Sequence, residues 1–312
     1  MGYGNYSYEA HQELTSQRAQ RSREEVFQQT SVHPLLNPHG VRFRESRDSP
    51  EHPISLPIIF ALDVTGSMGT IPEILAKQEL PNFMRSLQQA GVKDPQVLFM
   101  FVGDALSDRG PLQVGQFESS ASDIDRWLTW AWLEGCGGGN RYESYDLAMY
   151  FAARHTDTDH YRKRQRRGYF FMTGDELPYP KVSRNQVRLL IGDELKKDLP
   201  LEELAEELAG SYHSFFLIPD PGRVNGCAKA WQKVMGDHVL TLGDPTDTCL
   251  VAAALVALTE GSLADLNELG RQLTDQGYAR SQVARVVSAL TPYAATLGRD
   301  GHGSVPLQPA AW

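Results

Sequence analysis

Residues 57–69 read PIIFALDVTGSMG, a continuous apolar run that ends in a polar loop with two glycines. The run lacks the alternation of apolar and polar residues that a half-exposed strand shows, so it predicts a strand buried on both faces. In the loop, Asp63, Thr65 and Ser67 place an oxygen-bearing side chain at every second position. The glycines allow a turn tight enough for these side chains to converge. The stretch therefore predicts a central strand with a polar site at its carboxyl end.

Strand-like segments alternate with helical segments along the rest of the chain. A short alternating segment over 111–118 predicts an edge strand, and the segments between the strands have helical spacing. Strands that alternate with helices predict an α/β fold, with a doubly wound, mostly parallel sheet and helices on both faces. The further predicted strands are PQVLFMFVGDA (95–105), GYFFMTGD (168–175), SYHSFFLIP (211–219) and DHVLTLG (237–243).

The composition divides the chain into four parts. Residues 1–54 are polar and interrupted by prolines, which predicts an arm that partly docks on the main domain, with one helix within 8–28. The alternating strands and helices occupy residues 55–244. Three helical stretches and no strand are expected over 245–297, as a C-terminal helical appendage, and residues 298–312 are expected to form a tail.

Charge and composition exclude several classes of function. The chain has 30 basic and 39 acidic side chains and a formal net charge of −9, which argues against a general attraction to nucleic acid or anionic lipid. The longest relevant apolar run, Leu250–Leu258, is too short to span a bilayer and predicts a buried helix. Three widely spaced cysteines form neither a disulfide framework nor a zinc motif, and the N-terminus lacks the regions of a signal peptide. We therefore expect a cytoplasmic protein without a membrane partner.

Acidic residues follow the other predicted strands as well. Asp104 follows the second strand, Asp175 and Glu176 follow the third, and Asn140 and Glu143 follow a glycine-rich turn. Because ligands of open α/β sheets bind at the carboxyl ends of the strands, these loops are expected to meet the first one there. Carboxylate and hydroxyl oxygens suit Mg²⁺ or Mn²⁺. Such residues also cap helices, but three acidic loops at one edge favour a metal site over capping alone.

The first loop resembles a known motif. DVTGSMG after an apolar strand is similar to the D-x-S-x-S signature of von Willebrand factor A domains, which carry a metal-ion-dependent adhesion site. On this resemblance Asp63, Thr65 and Ser67 are metal ligands, with Thr65 in the place of the first serine.

Two later segments resemble the other motifs of that family. Residues 137–150, GGGNRYESYDLAMY, are similar to the second motif, although the threonine that many members use is absent. Glu143, at the start of the predicted helix, is similar to the glutamate of integrin β-type domains and is taken as the ligand. TGDE at 173–176 resembles the third motif and makes Asp175 a direct or water-mediated ligand. The residues expected to contact metal-bound water, or to serve as alternative ligands, are Asn140, Asp104 and Glu176.

The resemblance covers roughly residues 55–243 and implies binding of a protein partner rather than catalysis. In this family a partner supplies a carboxylate to the open metal position, and Mg²⁺ held by a few protein oxygens accepts such a ligand. Intracellular bacterial members are often adaptors for AAA+ ATPases of the MoxR type, or scaffolds in stress or defence modules. The expectation is therefore a non-enzymatic, intracellular prokaryotic adaptor whose partner presents Asp or Glu.

Two alternatives remain open from the sequence. A haloacid-dehalogenase-like phosphohydrolase would use Asp63 as its nucleophile and Asp175 as a metal ligand. However, Thr65 stands where that chemistry commonly needs a second aspartate as general acid. An RNA-binding von Willebrand A protein would use the basic run 162–167, which is otherwise a solvated turn.

Overall fold

The structure is a computed structural model, and it describes residues 6–75, 79–135 and 140–299. Residues 136–139 of the predicted glycine-rich turn and residues 300–312 of the predicted tail lie outside the described residues. The strands are β1 Arg44–Ser46, β2 Leu56–Asp63, β3 Pro95–Val102, β4 Leu112–Val114, β5 Tyr142–Glu143, β6 Thr156–Thr158, β7 Gly168–Thr173, β8 Leu177–Pro178, β9 Lys181–Val182, β10 Leu199–Pro200, β11 Tyr212–Ile218 and β12 Val239–Thr241.

The helices connect these strands. They are α1 Tyr8–Ala19, α2 Arg23–Val26, α3 Ile71–Ile74, α4 Leu80–Gln89, α5 Ala121–Thr129, α6 Tyr145–Arg154, α7 Asp159–Arg164, α8 Arg184–Leu190, α9 Leu201–Ser211, α10 Val224–Met235, α11 Thr248–Thr259, α12 Leu266–Asp275 and α13 Arg280–Arg299.

The central sheet has the strand order β12-β11-β7-β2-β3-β4. All neighbours in it are parallel except the edge strand β4, which runs antiparallel to β3. The chain starts in the middle with β2, builds the sheet to one side and then crosses to β7 on the other side. This confirms the predicted doubly wound, mostly parallel sheet. The order of strands reverses between β2 and β7, which is the position where such sheets bind ligands.

Helices cover both faces of the sheet, as predicted. On one face, alternate residues of the strands pack against α4, α5, α11, α12 and α13. On the other face, the remaining strand residues pack against α6, α8, α9 and α10. Each strand therefore buries both of its faces, which explains why its sequence is apolar without alternation.

The segment Leu250–Leu258 forms most of α11 and is buried along its length, as predicted. It contacts α4 and lies in the same apolar core as the sheet residue Phe60. The C-terminal helices thus contribute to one face of the sheet, while the boundaries at 54/55 and 244/245 stay predictions. None of the helices in the described ranges combines the length and the apolarity that a bilayer crossing requires.

The N-terminal segment lies on the main domain. Its helix α1 contacts α4 and α5, and β1 pairs in parallel with β6. The side chains of Val26, Phe27 and Leu36 are buried in the core, which provides the apolar contacts for docking.

Two local predictions need correction. The single helix expected within 8–28 is divided into α1 and α2, because Ser22 caps a second helix with a capping box. Glu143 does not open a helix but ends β5, which pairs with β8.

Candidate metal centre

The loop after β2 donates hydrogen bonds to the carboxylate of Asp63, the last residue of that strand. Asp63 is fully buried, and its Oδ1 accepts hydrogen bonds from the Thr65 backbone N–H at 2.9 Å and the Thr65 hydroxyl at 2.6 Å. The Thr65 and Ser67 hydroxyl oxygens lie 3.1 Å apart. The alternating spacing therefore brings three side-chain oxygens together, as the sequence indicates.

The loop after β7 completes this group from the neighbouring strand. The Ser67 hydroxyl donates to Asp175 Oδ1 at 2.8 Å, so a continuous chain of contacts joins Asp63, Thr65, Ser67 and Asp175. We call these four residues the oxygen cluster. It spans the crevice between β2 and β7, where the strand order reverses. The structure brings these predicted residues together, and their role as metal ligands stays a prediction.

An arginine from the next strand along the sheet also reaches this group. Arg223 lies in the connection between β11 and α10, and its Nη1 is 2.8 Å from Asp175 Oδ2. Its Nη2 donates to the Ser67 carbonyl oxygen at 2.9 Å. None of the sequence motifs contains this residue. Its position after a parallel strand of the same sheet is the signal that indicates it.

Tyr145, the first residue of α6, holds the other oxygen of Asp63. Its hydroxyl donates to Asp63 Oδ2 at 2.5 Å, and its ring packs edge-on against Phe216 and Trp231. Gly174 leaves room for this ring, because a Cβ there would lie 2.6 Å from Tyr145 Cζ. The sequence gives no signal for this contact with Asp63, because a tyrosine in an apolar helix is typical of a core residue.

Glu143 is buried nearby, and its Oε2 has no hydrogen-bond partner among the described residues. Burial, together with the surrounding carboxylates, raises the pKa of its carboxyl group to about 9. A buried carboxylate oxygen without a donor is costly unless it is protonated or faces a cation. The carboxylates that act on it are Asp63, Asp104, Asp108 and Glu176.

Asn140 and Asp104 form a separate hydrogen-bonded group at the same edge. The Asn140 side-chain amide donates to Asp104 Oδ2 at 3.3 Å, and the Tyr179 hydroxyl donates to Asp104 Oδ1 at 2.9 Å. Glu176 follows Asp175 directly and is half-buried, and burial raises the pKa of its carboxyl group. These residues therefore surround the oxygen cluster without taking part in its chain of contacts.

The donor set suits a hard divalent cation. Burial raises the pKa of Asp63 to about 7, although Thr65 and Tyr145 donate to it. Placing a cation beside this carboxylate offsets the cost of burying its charge. Within residues 6–75, 79–135 and 140–299, no three His, Cys, Asp or Glu side chains are grouped as a metal site, so the candidate centre relies on hydroxyl ligands as well. Two carboxylates with two hydroxyls match the oxygen chemistry of Mg²⁺ and Mn²⁺.

The buried carboxyl groups predict an unusual pH dependence for the metal-free protein. Burial raises the pKa of Asp63 to about 7, of Asp146 to about 8 and of Glu143 to about 9. Each group then holds a proton in the folded state that the unfolded chain has released, so the free energy of unfolding falls as pH rises through these values. The buried histidines His11 and His160 act in the opposite direction, but only below about pH 6.5, where the unfolded chain protonates.

We therefore expect that, with chelator present, the free energy of unfolding decreases between about pH 6.5 and about pH 9. Urea unfolding at several pH values measures it. Glu143→Gln should make the decrease smaller, because it removes the group with the highest of these pKa values. Saturating Mg²⁺ should also reduce it. A stability that rises over this interval would contradict the assignment of buried, protonated carboxyl groups.

Comparison with known proteins finds structural neighbours but no relatives in sequence. The sequence matches no protein-family model and no curated protein. Structural neighbours include proximal thread matrix protein 1 from the mussel byssus (TM-score 0.42, 11% identity, 65% of this chain and 47% of that chain). The open conformation of the pilus adhesin SpaC from Lactobacillus rhamnosus GG is another (TM-score 0.43, 12% identity, 68% and 30%). A further structure of the mussel protein is described as having a zinc occupied MIDAS motif (TM-score 0.39, 9% identity, 66% and 48%).

This chain therefore spans less than half the length of each of these neighbours. At these scores the likeness carries no argument about function. The candidate centre is assigned from its own residues and contacts.

Proposed function

We propose that this chain is a von Willebrand A-like, metal-dependent protein-interaction module. The observation that carries the proposal is the oxygen cluster, which joins Asp63, Thr65, Ser67 and Asp175 across the point where the strand order reverses. These are the residues that the resemblance to the first and third adhesion-site motifs selects. Mg²⁺, or Mn²⁺, is the proposed ion.

Each residue of the cluster has a distinct task in this proposal. Asp63 supplies a buried charge, and the Tyr145 hydroxyl orients it. Thr65 and Ser67 supply neutral oxygens, and Asp175 supplies the second carboxylate from the neighbouring strand. When bound, the ion would supply an open coordination position for a partner carboxylate.

The partner would approach over the loop that follows Ser67. Thr65 is buried and Ser67 is half-buried, whereas Gly66, Gly69 and Thr70 are exposed. The cluster is therefore closed toward the sheet and accessible along this loop. We propose that a partner Asp or Glu side chain reaches the cluster along this loop.

The phosphohydrolase alternative is not favoured by the geometry. A nucleophilic Asp63 needs one carboxylate oxygen free to attack, but Oδ1 accepts from Thr65 and Oδ2 accepts from Tyr145 within a fully buried site. Thr65 holds no proton that it releases easily to a leaving group.

The RNA alternative is weakened by ion pairs within the basic run 162–167. Lys163 and Arg164 both contact Asp48, at 3.0 Å and 2.9 Å. Arg166 pairs with Glu260, and Arg162 lies 3.5 Å from Asp157. Four of the five cations in the run are thus paired with acidic side chains of the same chain, and Arg167 donates to the Ala209 carbonyl oxygen. Through Asp48 the basic run joins the end of α7 to the N-terminal segment, and through Glu260 it joins the turn before β7 to the end of α11.

Affinity capture from a lysate of the native host tests the proposal. The baits are the wild type with Mg²⁺, the wild type with EDTA, and Asp63→Ala. Asp198→Ala is the matched control, because it removes a partly exposed aspartate that pairs with Lys181 outside the cluster. We expect a partner that the wild type and the control retain with Mg²⁺ and that EDTA or Asp63→Ala releases.

Substitutions in the captured partner then test whether one of its carboxylates binds the metal. Replacing one Asp or Glu of that partner with Ala should abolish its Mg²⁺-dependent binding. Partners that bind regardless of metal and of Asp63 would contradict the proposal. An adaptor role in an intracellular system, with a MoxR-type AAA+ ATPase as partner, is the finer proposal that such a capture would identify.

A further inference from the structure

We infer that Arg223 is a tethered competitor of the divalent ion, so that metal binding requires the guanidinium to leave Asp175. The inference rests on the proposed function, because it concerns the affinity of the same centre for its ion. It goes beyond that function by assigning a regulatory residue that none of the three adhesion-site motifs contains.

The contacts place the guanidinium on the cluster itself. Its Nη1 lies 2.8 Å from Asp175 Oδ2, while Nη2 donates to the Ser67 carbonyl oxygen at 2.9 Å. The side chain of Asp175 is 2% exposed and that of Arg223 is 44% exposed. The guanidinium therefore forms the solvent side of this carboxylate and bridges two residues of the candidate metal centre.

The surrounding loop offers Arg223 a second position. Asp220 accepts from the Gly222 backbone N–H at 2.8 Å, which fixes the turn that carries Arg223. Its Oδ2 lies 3.9 Å from Arg223 Nε, and both side chains are 44% exposed. A guanidinium displaced from Asp175 thus has another carboxylate within reach.

The physical basis of the competition is charge. Arginine stays protonated at any physiological pH, so proton release does not free Asp175. A divalent cation at the cluster would compete with this positive charge for the Asp175 carboxylate, and the repulsion between the two cations lowers the affinity for the ion. By linkage, the ion weakens the Arg223–Asp175 contact by the same factor. The centre therefore binds a divalent ion only when the concentration of free metal is high enough for the ion to displace the Arg223 guanidinium from Asp175.

Calorimetric titration of the full chain with Mn²⁺ tests the inference. Arg223→Ala should tighten binding about tenfold, a factor within the usual range of coupling between two sites. Arg223→Lys keeps the charge but loses the fork that bridges Asp175 and Ser67, so it should tighten binding less. Arg141→Ala is the control, because Arg141 is an exposed arginine whose charge, like that of Arg223, acts on Glu176. Its affinity should stay within about twofold of wild type.

Thermal unfolding supplies a second readout. With EDTA, Arg223→Ala should unfold at a lower temperature than wild type, because Asp175 loses its cationic partner. Mn²⁺ should then raise the unfolding temperature of Arg223→Ala by more than that of wild type, since a tighter ligand stabilises more at equal concentration.

The outcomes separate this inference from the proposed function. If Asp63→Ala abolishes Mn²⁺ binding while Arg223→Ala binds no tighter than wild type, the competitor role is wrong and the metal centre stands. If neither the wild type nor Arg223→Ala binds Mn²⁺ in a way that depends on Asp63, both proposals fail. If Arg223→Ala binds Mn²⁺ and the wild type does not, the Arg223 guanidinium controls the affinity of the centre for its ion.

Discussion

Asp63→Ala is expected to abolish Mg²⁺ and Mn²⁺ binding, with affinity weakened by more than about a hundredfold. The fully buried Asp63 carboxylate is the residue that Thr65 and Tyr145 both orient. Loss of a residue that merely orients a metal ligand costs about ten- to a hundredfold, so loss of the ligand itself costs more. Calorimetric titration measures the affinity, and circular dichroism establishes that the variant is folded.

The stability of this variant distinguishes loss of the site from loss of the fold. Burial raises the pKa of Asp63 to about 7, so its charged form is disfavoured in the folded protein without metal. Removing the charge alone should therefore leave the unfolding temperature in EDTA unchanged or higher, whereas alanine also leaves the buried Thr65 and Tyr145 donors without an acceptor. Asp63→Asn is the matched control, because it keeps an acceptor for the Thr65 donors but not the charge. If either variant binds metal as tightly as wild type, Asp63 is not a ligand.

Gly174→Ala is expected to destabilise the protein by about 1–3 kcal/mol and to disrupt the metal centre. A Cβ at this position would lie 2.6 Å from Tyr145 Cζ and 2.7 Å from Cε1. The ring has no room to move, because it is fully buried between Phe216 and Trp231. Either the Tyr145 hydroxyl leaves Asp63 or the loop that carries Asp175 shifts. Urea unfolding and Mn²⁺ titration measure the two effects.

Gly210→Ala provides the control for this substitution. Gly210 lies inside α9, and a Cβ there would meet no atom within 4 Å. The same change of residue should therefore stabilise the protein by about 0.5–1 kcal/mol, because alanine favours a helix over glycine. Metal affinity should not change. If Gly174→Ala were as stable as wild type and bound Mn²⁺ equally well, the close packing of Tyr145 would not support the centre.

The sequence predicts well those features that depend on residues close together in the chain. The apolar run before Asp63 indicates a strand buried on both faces, and the alternation of strands and helices determines the parallel sheet. The loops that contain Asp63 and Asp175 are each attached to a strand end. Once those strands lie side by side, their side chains meet. The oxygen cluster follows from the order of the strands, which is why these residues are identifiable from motifs.

Contacts that depend on the rotation of a helix or the path of a long connection are not predictable in this way. Tyr145 reaches Asp63 because of how α6 sits on the sheet, and its sequence context is that of a core residue. Arg223 reaches Asp175 from a loop whose conformation depends on the cap by Asp220. Glu143 was assigned to a helix because the apolar spacing begins there, yet its backbone pairs with β8.

The most direct test of the account is a crystal structure of the protein grown with Mn²⁺, with diffraction recorded at the manganese absorption edge. We expect one strong anomalous peak at the crevice between β2 and β7, bounded by Asp63, Thr65, Ser67 and Asp175. We also expect that Arg223 turns from Asp175 toward Asp220. A peak at another group of residues, or none at this crevice, would contradict the assignment of the oxygen cluster as a metal centre.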